Sequence, residues 1–80
     1  MKNVWEESGG FLKKTLRFKN FKEVLHFVNK VGGIAEGMGH HPDIYIENYN
    51  QATIKTTTHD AGNSITDKDY NLARAIDAIK

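Results

Sequence analysis

The longest regular pattern in the sequence lies between Asn20 and Gly39. Apolar residues recur there at intervals of three and four, the spacing of one helix face: Phe21, Val24, Leu25, Val28, Val31 and Ala35. Asn20 and Glu23 have the spacing of a capping box, which predicts the first turn. Gly39 can close a helix in the left-handed conformation, and Pro42 disfavours helical geometry at His41. We therefore expect one helix that ends just before two adjacent histidines.

Four short runs rich in β-branched and aromatic residues flank this helix. Val4–Ser8 and Phe11–Phe18 are joined by a pair of glycines, which supply the positive φ angles of a tight hairpin turn. Asp43–Glu47 and Ala52–His59 are separated by good turn formers at positions 48–51. Both pairs of runs are therefore predicted to form β-hairpins.

The last periodic stretch, Thr66–Lys80, predicts a second helix. It begins with a Thr66-x-x-Asp69 capping pattern, and its apolar face consists of Leu72, Ala73, Ile76 and Ile79. The element order is thus ββαββα. Because each strand pair is joined by a tight turn, this order favours an α+β domain, a four-stranded antiparallel sheet with both helices packed on one face. We expect residues 1–80 to form this single domain.

The amino-acid composition limits the size of the core and the kinds of partner that are expected. With 80 residues and no cysteine, the chain can build only a small core without disulfides or thiolate metal sites, so a homo-oligomer, a dimer or tetramer, is expected. A formal net charge of +1 argues against a nucleic-acid partner. We find no basic apolar leader and no apolar run that could cross a bilayer, which predicts a cytoplasmic protein without a membrane partner. Four basic residues that lie close together in the sequence are expected to face solvent. They are Lys13, Lys14, Arg17 and Lys19.

The histidines are the candidate functional residues. If the second hairpin turns near Asn50, antiparallel pairing brings His59 opposite His41 within a residue or two, where Cβ atoms lie about 4.5–5.5 Å apart. Glu36 precedes His40 by one helical turn, so its carboxylate can approach the same place. Imidazoles in different surroundings can hold acid and base forms together near neutral pH. This convergence therefore suits a proton-transfer site.

Other interpretations of these residues stay open. The adjacent histidines before Pro42 are equally consistent with a solvated turn, and His59 with a structural role. Asp69 is explained by helix capping alone. Three histidines and a carboxylate could hold zinc, but adjacent imidazoles seldom face one metal and neither HxxxH nor HxH occurs, so no metal is expected. His26, on the exposed side of the first helix, is not expected to act directly.

Several motifs together resemble the pterin-4a-carbinolamine dehydratase family. In chain order they are LRFKNFKEVLHFV, AE-x-x-x-HHPD, Y-N-x-x-x-I, TTHDAG and D-x-x-LA-x-x-ID. The resemblance runs from about Trp5 to Ile79, nearly the whole chain. Its most specific part is Glu36 with His40-His41-Pro42 and Thr58-His59-Asp60. One departure is that AGNSITDKD is a residue longer than the usual AGG-x-T-x-x-D and carries an asparagine where a second glycine is common.

The resemblance implies a cofactor-independent enzyme. It would dehydrate 4a-hydroxytetrahydrobiopterin, or a related pterin carbinolamine, to the quinonoid dihydropterin by histidine acid-base catalysis. The implied catalytic residues are His40, His41 and His59. The residues implied to bind or orient the pterin are Glu36, Gly39, Thr57, Thr58, Asp60 and Asp69. We take His40 as the base and His41 or His59 as the acid.

The alternative that the resemblance leaves open is a non-catalytic protein-interaction module. Some animal members of the family bind a homeodomain transcription factor through helical surfaces. In this alternative the fold would be the same, and the partner would be a protein.

Overall fold

Four strands and two helices make up the computed structural model, which describes residues 4–79. The strands are β1 (Glu6–Ser8), β2 (Phe11–Arg17), β3 (Asp43–Glu47) and β4 (Gln51–Thr56), and the helices are α1 (Phe21–Met38) and α2 (Asp67–Asp77). The sheet is antiparallel, with strand order β1-β2-β4-β3. The predicted ββαββα order and α+β class are confirmed. Positions 1–3 and 80 of the predicted domain lie outside the described residues. The second helix ends at Asp77, before the predicted end at Lys80, because Ala78 caps it.

The hydrophobic core joins both helices to β4. Its buried members are Val24, Phe27, Val31, Ala35, Ala52, Ile54, Leu72 and Ile76. Phe21 and Leu25, predicted on the buried face of α1, are instead 47% and 40% exposed. The reason is angular, since Leu25 follows Val24 by about 100° around the helix and so lies at the edge of the apolar stripe. Within residues 4–79, neither helix has the length and apolar character that crossing a membrane requires.

The second hairpin is shorter than predicted. Pairing runs from Asp43 opposite Lys55 to Glu47 opposite Gln51, and β4 ends at Thr56 instead of continuing to His59. The chain leaves the sheet there because it closes a loop in which the Thr58 N–H donates to the Ser64 carbonyl at 3.0 Å. His59 therefore begins a 3₁₀ turn that ends at Ala61, and it is not a strand residue opposite His41.

The ends of α1 follow the sequence signals with one exception. The Asn20 Oδ1 accepts from the Glu23 N–H at 2.9 Å, as predicted. The Glu23 carboxylate, however, accepts from the Lys19 N–H at 3.0 Å and not from that of Asn20, so the predicted capping box is only half formed. At the other end Gly39 is left-handed, with φ 65°, which stops the helix just before His40 as predicted.

Lys14 departs from the predicted solvated basic surface. Alternation along β2 places it with Leu12 on the side that the helices cover, where it is 7% exposed. Its Nζ donates to the Asp77 Oδ1 at 2.6 Å, and the Trp5 Nε1 donates to the same carboxylate at 3.1 Å. The ammonium also lies 5.7 Å from the centroid of the Trp5 ring, within cation–π range. This cluster ties β2 to the last turn of α2.

Candidate active site

Three histidines line one open cavity of about 190 Å³. His40 and His41 follow the C-cap of α1, and His59 begins the 3₁₀ turn after β4. Residues far apart in the chain thus meet, as the hairpin argument predicted, but the loop after β4 brings them together and not a cross-strand pair. The cavity is completed by Gly39, Thr57, Asp60 and Lys68.

His40 forms a buried dyad with Asp69. The His40 Nε2 lies 2.7 Å from the Asp69 Oδ1, and the side chains are 11% and 0% exposed. The same carboxylate accepts from the Thr56 and Thr58 hydroxyls at 2.6 and 2.7 Å and from the Thr66 N–H at 2.9 Å. Burial alone would raise the pKa of Asp69, but the hydrogen bonds outweigh it and hold the pKa below its ordinary value. Asp69 is therefore ionised at neutral pH and can stabilise a positive charge on His40.

The dyad depends on the N-terminus of α2. Asp69 completes the predicted capping box with Thr66, whose Oγ1 accepts from the Lys68 N–H at 3.3 Å. Its Oδ2 serves this cap, while its Oδ1 holds His40. The helix dipole also favours a carboxylate in the first turn. One residue thus both starts the helix and orients the imidazole.

His41, and not His40, is the partner of Glu36. The Glu36 Oε1 lies 3.3 Å from the His41 Nε2, and the two side chains are 77% and 63% exposed. The sequence predicted that the Glu36 carboxylate can approach the place where the histidines meet, and it does so at His41, beyond the end of the helix. The helix ends at Met38, and the left-handed Gly39 redirects the chain so that His40 turns towards Asp69. A contact between two side chains this exposed contributes little to stability.

His59 has an amide partner that the sequence analysis did not identify. The Asn63 Oδ1 lies 2.8 Å from the His59 Nδ1, across a single turn. Asn63 has a φ of 59°, a left-handed conformation that asparagine tolerates better than most residues. The signals available in the sequence were the spacing of four residues and the neighbouring Gly62, which together are compatible with a tight turn.

The remaining predicted site residues fall into two groups. Gly39, Thr57 and Asp60 line the cavity, and the Thr57 hydroxyl donates to the Gly10 carbonyl at 2.7 Å. Thr58 is buried, and its hydroxyl faces Asp69 instead of the cavity. Lys68 lines the cavity but was missed. Its position in the first turn of α2 was visible in the sequence, although nothing there indicated which way it would face.

The partners of the three imidazole rings differ from one another. Three different side chains occupy one ring nitrogen of each histidine, namely Asp69, Glu36 and Asn63. Among residues 4–79, no group of three or more His, Cys, Asp or Glu side chains is placed to hold a metal ion. The arrangement is suited to exchanging protons with a ligand in the cavity.

A larger cavity of about 380 Å³ lies elsewhere, where the end of β2 meets α1. Its lining is largely apolar and aromatic and includes Leu16, Phe18 and Phe27. The one histidine there is His26, on the exposed side of α1 as predicted. Because the histidine–carboxylate dyad and two further imidazoles meet in the smaller cavity, we place the candidate site there.

Comparison with known proteins shows what the chain is similar to. The family model described as pterin 4 alpha carbinolamine dehydratase matches residues 1–79. A protein of Sulfurisphaera tokodaii, provisionally named pterin-4-alpha-carbinolamine dehydratase, is 48% identical over 75 residues, which cover 94% of this chain and 78% of the relative. A protein of Prochlorococcus marinus with the same provisional name is 46% identical over 77 residues, which cover 96% and 78%.

Solved structures share the fold. A transcriptional coactivator/pterin dehydratase from Brucella melitensis superposes with a TM-score of 0.83 at 26% identity, covering 92% of this chain and 79% of that one. A pterin dehydratase-like protein, identified as a RuBisCO assembly factor in the alpha-carboxysome, has a TM-score of 0.77 at 20% identity and covers 94% and 87%. The second likeness extends to the fold alone.

Proposed function

Because the chain belongs to the pterin 4 alpha carbinolamine dehydratase family, we propose that it dehydrates 4a-hydroxytetrahydrobiopterin or a related pterin 4a-carbinolamine. The product is the quinonoid dihydropterin. The observation that carries the proposal is the meeting of His40, His41 and His59 in one cavity, with one of them bound to a buried, ionised carboxylate. Family membership alone would not distinguish an active enzyme from an inactive relative.

The reaction needs only proton transfers. The bond between C4a and its hydroxyl oxygen breaks, and an acid supplies the proton that lets the oxygen leave as water. A base removes a proton from a ring nitrogen, and the electron pair of that N–H bond becomes part of the new C=N double bond. Nothing is oxidised or reduced overall. Positioned acid and base groups commonly accelerate such a step by about 10²–10⁴-fold.

We assign the base to His40. Its Nε2–H donates to Asp69, so its Nδ1 is the nitrogen that can accept a proton. The imidazolium that then forms is stabilised by the buried carboxylate, as in other histidine–carboxylate dyads. We assign the acid to His41, which is exposed to solvent beside Glu36 and can be reprotonated after each turnover.

Substrate recognition falls to the polar rim of the cavity. Pterins carry an amino group and ring N–H donors next to a carbonyl oxygen. The Asp60 carboxylate can accept from the donors, and the Lys68 ammonium can donate to the carbonyl. Thr57 and the backbone at Gly39 complete the contacts, while Thr58 acts through Asp69.

The test is a spectrophotometric assay of dehydration, with the carbinolamine generated by an aromatic amino-acid hydroxylase. We expect wild-type protein to accelerate the reaction and His41→Ala to lower the rate at least about tenfold. The matched control is His26→Ala, which removes an exposed histidine on α1 outside this cavity. Equal rates for wild type and His41→Ala, or equal losses in both variants, would contradict the proposal.

A second candidate function is non-catalytic protein binding. It is favoured by the similar structure from Brucella melitensis, which is described as a transcriptional coactivator as well as a pterin dehydratase. The discriminating protein is a variant with alanine at His40, His41 and His59. If a cellular phenotype and a captured protein partner both survive in that variant while dehydration is lost, binding is the function that matters.

A further inference from the structure

We propose that Asn63 is a positioning residue that fixes the tautomer of His59. In this assignment Asn63 holds the hydrogen on Nδ1, so the Nε2 lone pair of His59 is left as an acceptor facing the cavity. The kinetic consequence rests on the proposed function, but the tautomer itself does not. A positioning role for Asn63 is a property of this chain, because the sequence pattern it resembles commonly has glycine at that place.

The hydrogen bond defines the tautomer. An amide oxygen only accepts, so the contact of 2.8 Å between the Asn63 Oδ1 and the His59 Nδ1 requires the hydrogen on Nδ1. His59 lines the cavity whereas Asn63 does not. The ring nitrogen that remains for a ligand is therefore Nε2.

The backbone holds Asn63 firmly in place. Its N–H donates to the Thr58 carbonyl at 3.1 Å, at the base of the same loop. Its own carbonyl oxygen packs so closely on Gly10 that a Cβ atom there would lie 2.1 Å away. With φ at 59°, glycine would be less strained at position 63. Asn63 thus places a side chain at a position whose backbone conformation favours glycine, and the oxygen of that side chain accepts from His59.

The surroundings of His59 explain why the tautomer matters. The titratable and charged groups that share the cavity with it are His40, His41, Asp60 and Lys68. His40 and His41 each lie against a carboxylate, whereas the partner of His59 is the uncharged amide of Asn63. A neutral His59 accepting at Nε2 would hold a substrate N–H or hydroxyl. His41 then remains as the acid.

The experiment combines imidazole NMR with kinetics on Asn63→Gly and Asn63→Asp. Long-range ¹H–¹⁵N spectra identify the tautomer of each histidine, and His59→Ala identifies the signals of His59. We expect the Nδ1–H form in wild type and in Asn63→Asp, and a shift towards the Nε2–H form in Asn63→Gly. Ser64→Ala, an exposed side chain in the same loop, is the control and should leave the tautomer unchanged.

The kinetic readout separates positioning from folding. We expect Asn63→Gly to lower kcat about two- to tenfold with a smaller change in KM, the worth of one hydrogen bond. Asn63→Asp keeps the acceptor but adds a charge that favours the imidazolium, so the acid limb of the pH–rate profile should move up by about one pH unit or more.

Two outcomes would overturn the inference. One is an Nε2–H tautomer for His59 in the wild type, and the other is an unchanged tautomer in Asn63→Gly. If the wild type shows no dehydration while the tautomers behave as expected, the proposed function fails and the positioning role of Asn63 stands.

Discussion

Asp69→Asn tests whether the charge of the buried carboxylate holds the site together. The carboxylate accepts four hydrogen bonds, two on each oxygen. In the variant, the amide oxygen can still accept from the Thr58 hydroxyl and from the Thr66 N–H. The oxygen must take this side, because the Thr66 N–H cannot accept a hydrogen bond from the amide nitrogen. The amide nitrogen must then face His40 and Thr56. Both of these can become acceptors, so the variant should fold, with His40 in its other tautomer.

The magnitude follows from the lost charge. Hydrogen bonds to charged groups contribute about 1.5–3 kcal/mol and neutral ones about 0.5–1.5, so weakening four bonds costs about 4–6 kcal/mol. Part of this is returned because a buried charge no longer has to be desolvated. We therefore expect a loss of about 2–3 kcal/mol in the free energy of unfolding at pH 7. Asp67→Asn, an exposed carboxylate in the same helical turn, should change it by less than about 0.5 kcal/mol.

The assay is urea unfolding at fixed protein concentration and at several pH values, together with dehydration kinetics. The pKa of Asp69 is lower in the folded protein than in the unfolded chain, where it is about 3.9. The stability that its charge contributes is thus fully present above that value and is lost as the pH falls through the lower, folded value. The difference between wild type and Asp69→Asn should shrink in the same range. A difference independent of pH, or no larger than that for Asp67→Asn, would refute the reasoning.

Two further substitutions test the supports of the site. Gly10 has a φ of 84°, which is strained for alanine, and a Cβ there would lie 2.1 Å from the Asn63 carbonyl oxygen. We therefore expect Gly10→Ala to lower the free energy of unfolding in urea by about 1–2 kcal/mol and to slow dehydration. The control is Gly9→Ala, whose φ is also strained but whose Cβ would meet nothing within 4 Å. If both substitutions slowed dehydration equally, the contact between position 10 and Asn63 would be excluded as the cause. Lys14→Met removes a buried ion pair whose carboxylate is 42% exposed, so we expect a loss of only about 1 kcal/mol. Lys13→Met on the opposite face should change little, and a larger loss there than at Lys14 would contradict the account.

Much of the fold could be predicted because local signals agreed with one another. The Asn20 cap, the left-handed Gly39 and the Thr66–Asp69 capping box each fixed the end of a helix, and the structure has them in place. The end of β4 could not be predicted in the same way. TIKTTTH is rich in β-forming residues throughout, but the strand stops at Thr56 because the backbone of Thr58 pairs instead with Ser64, at the other side of the loop that follows.

The candidate site was predictable in its histidines but not in their partners. The adjacent histidines before Pro42 can be read directly from the sequence. That Glu36 contacts His41 and not His40 depends on one left-handed residue, Gly39, which redirects the chain. Lys14 was misjudged for a related reason. Its neighbours in sequence are solvated, but alternation along β2 points it at a carboxylate on α2 that is 63 residues away in the chain. The expected homo-oligomer stays a prediction.

The three imidazoles are not interchangeable, because each is held by a different chemical group. His40 meets a fully buried carboxylate that is already committed to a helix cap, so any movement of α2 would also move this ring. His41 meets an exposed carboxylate, which water and salt can screen. His59 meets an uncharged amide in a loop that rests on the first hairpin. The proposed acid-base chemistry needs imidazoles in different surroundings. The differences come from the elements that hold the partner of each histidine, namely α2, the end of α1 and the loop that packs on Gly10.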